Sequence, residues 1–282
     1  MEKRGNKLSL LTLSVLAFCL MVIAYVPALA ASLNITPHFK TRTGIHFDMG
    51  VQGSVGFSSA NYEEANVDSD SSRGVYDLFQ ENISLAVDHG PNVSPAVFGS
   101  VRYYLNRSFI DFQLGDMFTS RELLNVNYFP HKENIVEHDV HVELKTLNTL
   151  YGKLSWGRFI TPNTDFNLSV LGLYDRCRLT YDVTGFNVFV DPPTTLSTQY
   201  REKLHLRGYG LGMGVEHYLS DYLIVAFNYT FMQHNSLTKE LRSVRFGGST
   251  AGELTLNDKA VHHINLGDLY ENILSLSLAY EI

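Results

Sequence analysis

Residues 208–216 read GYGLGMGVE, with glycine at every second position and Tyr209, Leu211, Met213 and Val215 between or after them. Each glycine inside a helix costs about 1 kcal/mol, so this run does not form one. A period of two belongs to a strand whose faces meet different surroundings. One face is apolar, and the other is almost bare until Glu216. The same alternation recurs in TGIHFDMGVQGSVGF, where Ile45, Phe47, Met49, Val51, Val55 and Phe57 oppose Gly, His, Asp, Gln and Ser. HVELKTLNTLYGKLSW sets Val142, Leu144, Leu150, Leu154 and Trp156 against His141, Glu143, Lys145, Tyr151 and Lys153. ILSLSLAYEI closes the chain with Leu274, Leu276, Leu278, Tyr280 and Ile282 against Ser275, Ser277, Ala279 and Glu281.

These segments run to 10–17 residues, whereas ordinary strands have about 5–6. A strand crossing a bilayer needs about 9–11 residues, and in lipid its backbone is satisfied only in a closed barrel. A soluble sandwich also alternates. Here, however, the polar face mixes glycine with ionisable groups, as a narrow lumen does. The expected fold is an all-β, transmembrane, up-and-down antiparallel barrel.

The N-terminus fits an exported protein. Lys3, Arg4 and Lys7 precede a long apolar run, and Ala28 and Ala30 stand at −3 and −1 of a signal-peptidase site. The reading is a cleaved signal over 1–30 and one barrel domain over 31–282, with an uncleaved anchor as the competitor. Cys177 is then the only cysteine left, so no disulfide within the chain forms. A net charge of −7 argues against a nucleic-acid partner. Six Asn-x-Ser/Thr triplets fall partly inside apparent strands and read as chance.

VRYYLNRSFIDF (101–112) echoes VEHYLSDYLIVA (215–226) around two-residue polar turns at 106–107 and 220–221. With a third short connection at 157–165, the pattern gives eight strands, at about 43–57, 96–105, 108–118, 140–156, 166–182, 204–219, 222–234 and 273–282. Long extracellular loops then fall at about 58–95, 119–139, 183–203 and 235–272, with the short turns in the periplasm. Two features sit awkwardly. Residues 76–89 also alternate; they are assigned to a protruding arm of the first loop, with ten strands as the alternative. Asp175 shares a face with Leu171, Leu173, Cys177 and Leu179, which calls for a bulge near Leu171.

The stretch G-x-G-V-E-x-Y-L-S-D-x-L followed by F-N-Y-T-F resembles the corresponding part of small bacterial outer-membrane barrels of the OmpA-like and opacity type. The C-terminal E-N-I-L-S-L-S-L-A-Y-E-I is similar to their last strand, although it ends in Ile282 rather than an aromatic residue. The resemblance covers about 206–234 and 271–282 well and the 99–112 turn moderately. It implies the outer membrane of a Gram-negative cell, with membrane lipid and lipopolysaccharide as surroundings. It also makes Leu276, Leu278, Tyr280 and Ile282 the signal read by the barrel-assembly machinery. Members include adhesins, structural anchors and small pores.

Eight strands leave an interior that side chains just fill. Alternation assigns Arg102, Lys145, Lys153, Arg176 and Arg178 to it, opposed by Asp48, Asp111, Glu143, Glu216 and Glu281. Five charges of each sign read as a paired network that plugs the barrel, because unpaired buried charge is expensive. A narrow or gated ion path is the alternative. The glycines of 208–214 are expected to make room for Arg and Lys stems crossing the lumen.

No enzyme signature stands up. Asp68 and Asp70, with Asp139 and His141, have the residue types of an omptin-type protease rim, where carboxylates and histidine activate water, but their flanking sequences do not match. Gln233-His234-Asn235-Ser236 has the wrong order for a lipid A deacylase, and His234 reads as a rim histidine. No Gly-x-Ser-x-Gly elbow occurs. His138 with His141, and His262 with His263, lack metal-ligand spacing on strands. Catalytic, cofactor and metal sites are therefore expected to be none. Function falls to the loops. The acidic first loop (Glu63, Glu64, Asp68, Asp70, Asp77 against Arg73) would contact a host or envelope surface, and Arg242 and Arg245 would meet lipid phosphates. A non-enzymatic surface-display barrel serving adhesion or envelope integrity is the leading expectation, with a small porin or gated ion channel second and a rim-located hydrolase a remote third.

Overall fold

The computed structural model describes residues 42–67, 83–118, 121–128, 138–187, 194–248 and 254–282. Residues 1–30, expected as a signal, lie outside them. Ten antiparallel strands are present among the described residues: β1 Gly44–Val67, β2 Ile83–Leu105, β3 Ser108–Met117, β4 Glu122–Tyr128, β5 His138–Thr161, β6 Thr164–Asn187, β7 Thr194–Tyr218, β8 Leu223–His234, β9 Leu237–Gly248 and β10 Leu254–Glu281. They pair in the order β1-β2-β3-β5-β6-β7-β8-β10, and β10 pairs back onto β1, closing a ring of eight. Closure leaves the spanning strands no free edge.

The two extra strands add length rather than circumference. Met117 of β3 faces Thr149 of β5, and above that point β4 takes over the pairing, with Glu122 opposite Lys145. Likewise β8 ends with His234 opposite Leu269, and β9 continues along β10 from Leu237 opposite Leu266. The sheet therefore extends well beyond one bilayer's thickness.

Most of the residues expected as long extracellular loops are accordingly strand. β1 runs on to Val67, and β2 begins at Ile83, pairing with β1 up to Glu64. The alternating segment at 76–89 is thus, from Ile83 onward, the upper arm of β2 and no separate crossing. β6 and β7 pair as far as Asn187 and Thr194. The connection expected over 157–165 shrinks to Pro162-Asn163, since β5 and β6 pair up to Thr161 and Thr164. At the 106–107 turn Asn106 adopts φ of 57°, a left-handed conformation that asparagine tolerates better than most residues.

Outward positions form an apolar band around the turn end of the barrel. It comprises Ile45, Phe47, Met49 and Val51 on β1, Val97 and Val101 on β2, Leu150, Leu154 and Trp156 on β5, Leu168 and Val170 on β6, Leu211 and Met213 on β7, and Leu276 and Leu278 on β10, all exposed. Exposed or half-exposed aromatics border it: Tyr103, Trp156, Tyr222 and Tyr280 at the turn end, and Phe57, Phe118, Tyr174, Tyr209, Phe231 and Tyr270 above. Apolar side chains in such a ring have no partner in water, whereas a bilayer core matches them. Leu276, Leu278, Tyr280 and Ile282 all belong to its outward face.

Above the band the interior becomes apolar. Tyr62, Leu123, Leu124, Val126, Val140, Val142, Leu144, Cys177, Leu179, Tyr181, Leu204, Leu206, Ile264, Leu266 and Leu269 pack into one core across the ring. The switch of faces on β5 has a visible cause. Thr146 pairs with Cys177 and Asn148 with Arg176, leaving Leu147 as an extra residue. One unpaired residue reverses the parity of everything beyond it. Below it Tyr151, Lys153 and Ser155 point inward; above it Val142 and Leu144 do. The bulge expected near Leu171 on β6 is thus found at Leu147 on β5. β6 itself runs straight, with Leu171, Leu173, Asp175, Cys177 and Leu179 all inside.

Candidate functional site

The interior holds two charged layers separated by apolar ones. The lower layer centres on Arg102 of β2, whose Nη1 lies 2.6 Å from Glu216 Oε2 of β7 and donates to the Tyr218 hydroxyl at 2.6 Å. Its Nε is 3.5 Å from Asp48 on β1 and 3.6 Å from Asp111 on β3. Alternate positions of four strands thereby converge on one guanidinium. Phe109 supports it from one side, its ring centre 4.4 Å from the guanidinium carbon. Ser100 donates to Asp48 at 3.1 Å, and Lys153 reaches Asn228 at 3.5 Å. A cavity of about 20 Å³ remains between Asp48, Arg102, Asp111, Lys153, Glu216 and Asn228. That is room for about one water.

At the turn end Arg42 pairs with Glu281 at 2.8 Å, lies over the Tyr218 ring at 4.0 Å and donates to the Asp221 carbonyl at 2.6 Å. His46 meets the other oxygen of Glu281 at 2.9 Å. Tyr104, Phe109, Phe159 and Tyr218 pack around this floor with centroid separations of 5.5–6.2 Å.

The upper layer is built on Arg121. Arg121 immediately precedes β4, whose first residues are held by Ser58 and Asn92 donating to the backbone carbonyls of Leu123 and Glu122. Arg121 Nη1 donates to both carboxylate oxygens of Glu271, at 2.6 and 2.8 Å. Its Nη2 donates to Asp175 and to Thr149, each at 2.9 Å. His234 bridges the two acids, 3.4 Å from Asp175 and 3.3 Å from Glu271. Arg121, Asp175, His234 and Glu271 are all at most 2% exposed. Ala96, Met117, Tyr151, Leu171, Leu173, Met232 and Ile273 pack below this layer, and the large apolar core lies above it. This Asp-His-Glu group forms an enclosed, ion-paired clasp around Arg121.

The structure separates the ten charges assigned to the lumen. Asp48, Arg102, Asp111, Lys153, Glu216 and Glu281 lie inside. Glu143 and Lys145 form an ion pair on the outer face of β5, because the Leu147 bulge turns that segment over. Arg176 and Arg178 are exposed on the outside of β6, where the strand runs straight and its odd positions take the interior. His234, expected at a rim, is instead interior. Leu173, His234, Met232, Ser169, Thr230 and Asn228 occupy the room left by glycines 208–214, rather than Arg or Lys stems. A Cβ on Gly212, for instance, would stand 2.5 Å from Ser169 Oγ.

Of the residues weighed for enzyme chemistry, few have described side chains. Asp68 and Asp70 lie outside the described residues, as do the side chains of Asp139, His138, His262, His263, Arg242 and Arg245. His141 is paired with Asn127 at 2.5 Å on the outer face of β5. Among the described residues no group of three His, Cys, Asp or Glu is placed to hold a metal, and no helix is long and apolar enough to cross a membrane.

Sequence reasoning did not find Arg121 or Glu271, which fall in segments read as loops. The available signal was the alternation of Leu269, Glu271 and Ile273, which continues the inward face of the last strand upward.

No family model matches the sequence, and no curated protein sequence matches it. Among solved structures, the chain is similar to the outer membrane protease OmpT from Escherichia coli, at 10% identity over 88% of this chain and 99% of that one, with a TM-score of 0.38. It is also similar to Ail, the attachment invasion locus protein of Yersinia pestis, at 9% identity over 86% and 100% of the two chains and a TM-score of 0.28. Neisserial surface protein A gives 8% identity over 82% and 97%, with a TM-score of 0.31.

Proposed function

We propose that this chain is a non-conducting, non-enzymatic barrel of the bacterial outer membrane that carries a rigid surface scaffold well beyond the lipid. The observation that carries this reading is the pairing of an apolar outer band with a filled interior. The Arg102 layer, the Arg121 clasp and the apolar layers around them occupy the lumen. The cavity within the Arg102 layer is water-sized, which supports a lumen closed to hydrated ions. The prolonged strands, ending at Val67, Asn187 and Gly248 and restarting at Ile83, Thr194 and Leu254, reach well beyond the apolar band, and this far end serves adhesion or envelope contacts. Assembly uses the outward apolar face of β10 as the signal for the barrel-assembly machinery.

Single-channel recording of the refolded protein in a planar bilayer tests the closed lumen, with altered gel mobility of the unboiled sample as the check on folding. Silence from a heat-modifiable barrel is expected. Reproducible, ion-selective steps would overturn the closed-lumen reading and promote a small pore.

A further inference from the structure

Directly above the upper aromatic border, the outer face of β5, β6 and β7 is cationic. Arg207 is paired across the strands with Tyr174, His205 with Arg176, Lys203 with Arg178, and Arg201 with Thr180. Lys145 lies beside Arg178 on the other flank. Arg176, Arg178, Arg201, Lys203, His205 and Arg207 are all exposed. Four successive rows thus carry positive side chains, and the nearest carboxylates facing the same way, Glu143 and Asp182, stand at the upper margin. Glu143 already pairs with Lys145. Among the described residues no ion pair involves Arg176, Arg178, Arg201, Lys203 or Arg207. At similar height on the far side, the outward residues of β1 and β2 are Ser59, Asn61, Glu63, Ser84, Ala86 and Asp88, without a cation.

The placement is specific. The His205 ring stacks on Tyr174 at 5.2 Å, joining the patch to the aromatic border. At ~3.3 Å per residue and a tilt of about 35–45°, the Lys203–Arg178–Lys145 row stands roughly 10 Å above that border. This depth is where the headgroup region of a bilayer lies. Like charges held in neighbouring rows repel one another unless an anion lies among them, and guanidinium groups bind phosphate through paired donors.

The geometry points to a binding surface for the phosphorylated headgroup of an outer-leaflet glycolipid, held against β5–β7 on one side of the barrel. This inference rests on the apolar band spanning the membrane. Phosphates sit among Arg176, Arg178, Lys203 and Arg207, while the acyl chains lie against Leu168, Val170, Leu211 and Met213 below.

The test uses refolded full-length protein in phosphatidylcholine nanodiscs containing bisphosphorylated lipid A or its fully dephosphorylated form, with retained lipid measured by mass spectrometry. Wild type is expected to enrich the phosphorylated lipid at least tenfold. Arg176→Gln/Arg178→Gln/Lys203→Gln should lose that enrichment, and Lys239→Gln should keep it. Equal enrichment in the triple variant, or no preference in the wild type, overturns the proposal. Binding of a soluble sulfated polysaccharide through the same three residues, without lipid preference, also overturns it by making the partner a glycan. Failure of the protein to enter nanodiscs as a heat-modifiable barrel contradicts the membrane reading itself, a separate outcome. Because all three substitutions are exposed and polar, unchanged gel mobility of the variant separates lost binding from lost folding.

Discussion

Two consecutive stretches of β7 share one parity and opposite chemistry. At Tyr209, Leu211 and Met213 the outward side chains are apolar and the inward positions are glycine. At Arg201, Lys203, His205 and Arg207 the outward side chains are polar, and Leu204 and Leu206 fill the interior. β6 changes in the same way between Leu168–Val170 and Arg176–Arg178, and β5 does so by turning over at Leu147. The chain builds one continuous barrel in two solvents. In lipid the outside is apolar and polar groups retreat to a paired interior; in water the hydrophobic effect again drives the apolar face inward. The Arg121 clasp lies at the junction, where neither rule governs alone.

Removing Leu147 attacks that junction most directly. Without the extra residue Glu143 and Lys145 turn into the core against Leu179 and Tyr181, and Val142 and Leu144 turn out. Exposing two core side chains while burying two charges costs more than any single truncation in the core. The expected result is loss of the heat-modifiable form on refolding. A deletion variant with the wild-type urea midpoint would show that the bulge does not set the faces.

Arg121→Ala comes next. It leaves Glu271 and Asp175 enclosed with only His234 and Thr149 as side-chain partners, and breaking a buried pair in this way costs about 3–5 kcal/mol. Urea titration of refolded protein should show a large fall in midpoint. Adding Glu271→Gln should recover part of it by removing an unpaired charge. No recovery would mean that Arg121 acts mainly through its packing at the start of β4.

How much of this was legible beforehand follows from the same contrast. The band and the Arg102 layer were readable because lipid-facing strands put apolar residues at one parity without interruption, as from Ile45 to Val51. The upper barrel was not, because alternation reports two faces without saying which is inward. Once Val142 and Leu144 are read on the same face as Leu150 and Leu154, Glu143 and Lys145 fall on the lumen side. A one-residue bulge in the run Thr146-Leu147-Asn148-Thr149 is equally silent, since either parity there places a polar residue on each face. Arg121 lies between two short strand segments, and its burial depends on partners from β5, β6 and β10. No local pattern encodes such a convergence.

The smallest effect tests how β9 is held above the membrane. Lys239 Nζ lies 2.6 Å from Glu202 Oε1, and the Tyr200 hydroxyl donates to Oε2 of the same carboxylate at 2.7 Å. The hydrogen bond from Lys239 holds the Glu202 carboxyl below its ordinary value of 4.5, against a smaller opposing effect of desolvation. A depressed carboxylate favours the folded state above the unfolded value, and that contribution disappears as pH falls through the lower folded one. Both side chains are about one-third exposed, so solvent screens the pair to the range of about 0.2–1 kcal/mol. Wild type should therefore exceed Lys239→Gln slightly in urea midpoint at pH 7, and the gap should close by pH 3. A gap that persists at pH 3 would mean that the lysine stem, rather than its charge, fastens β9 to β7. The junction would then owe its closure above the membrane to packing alone.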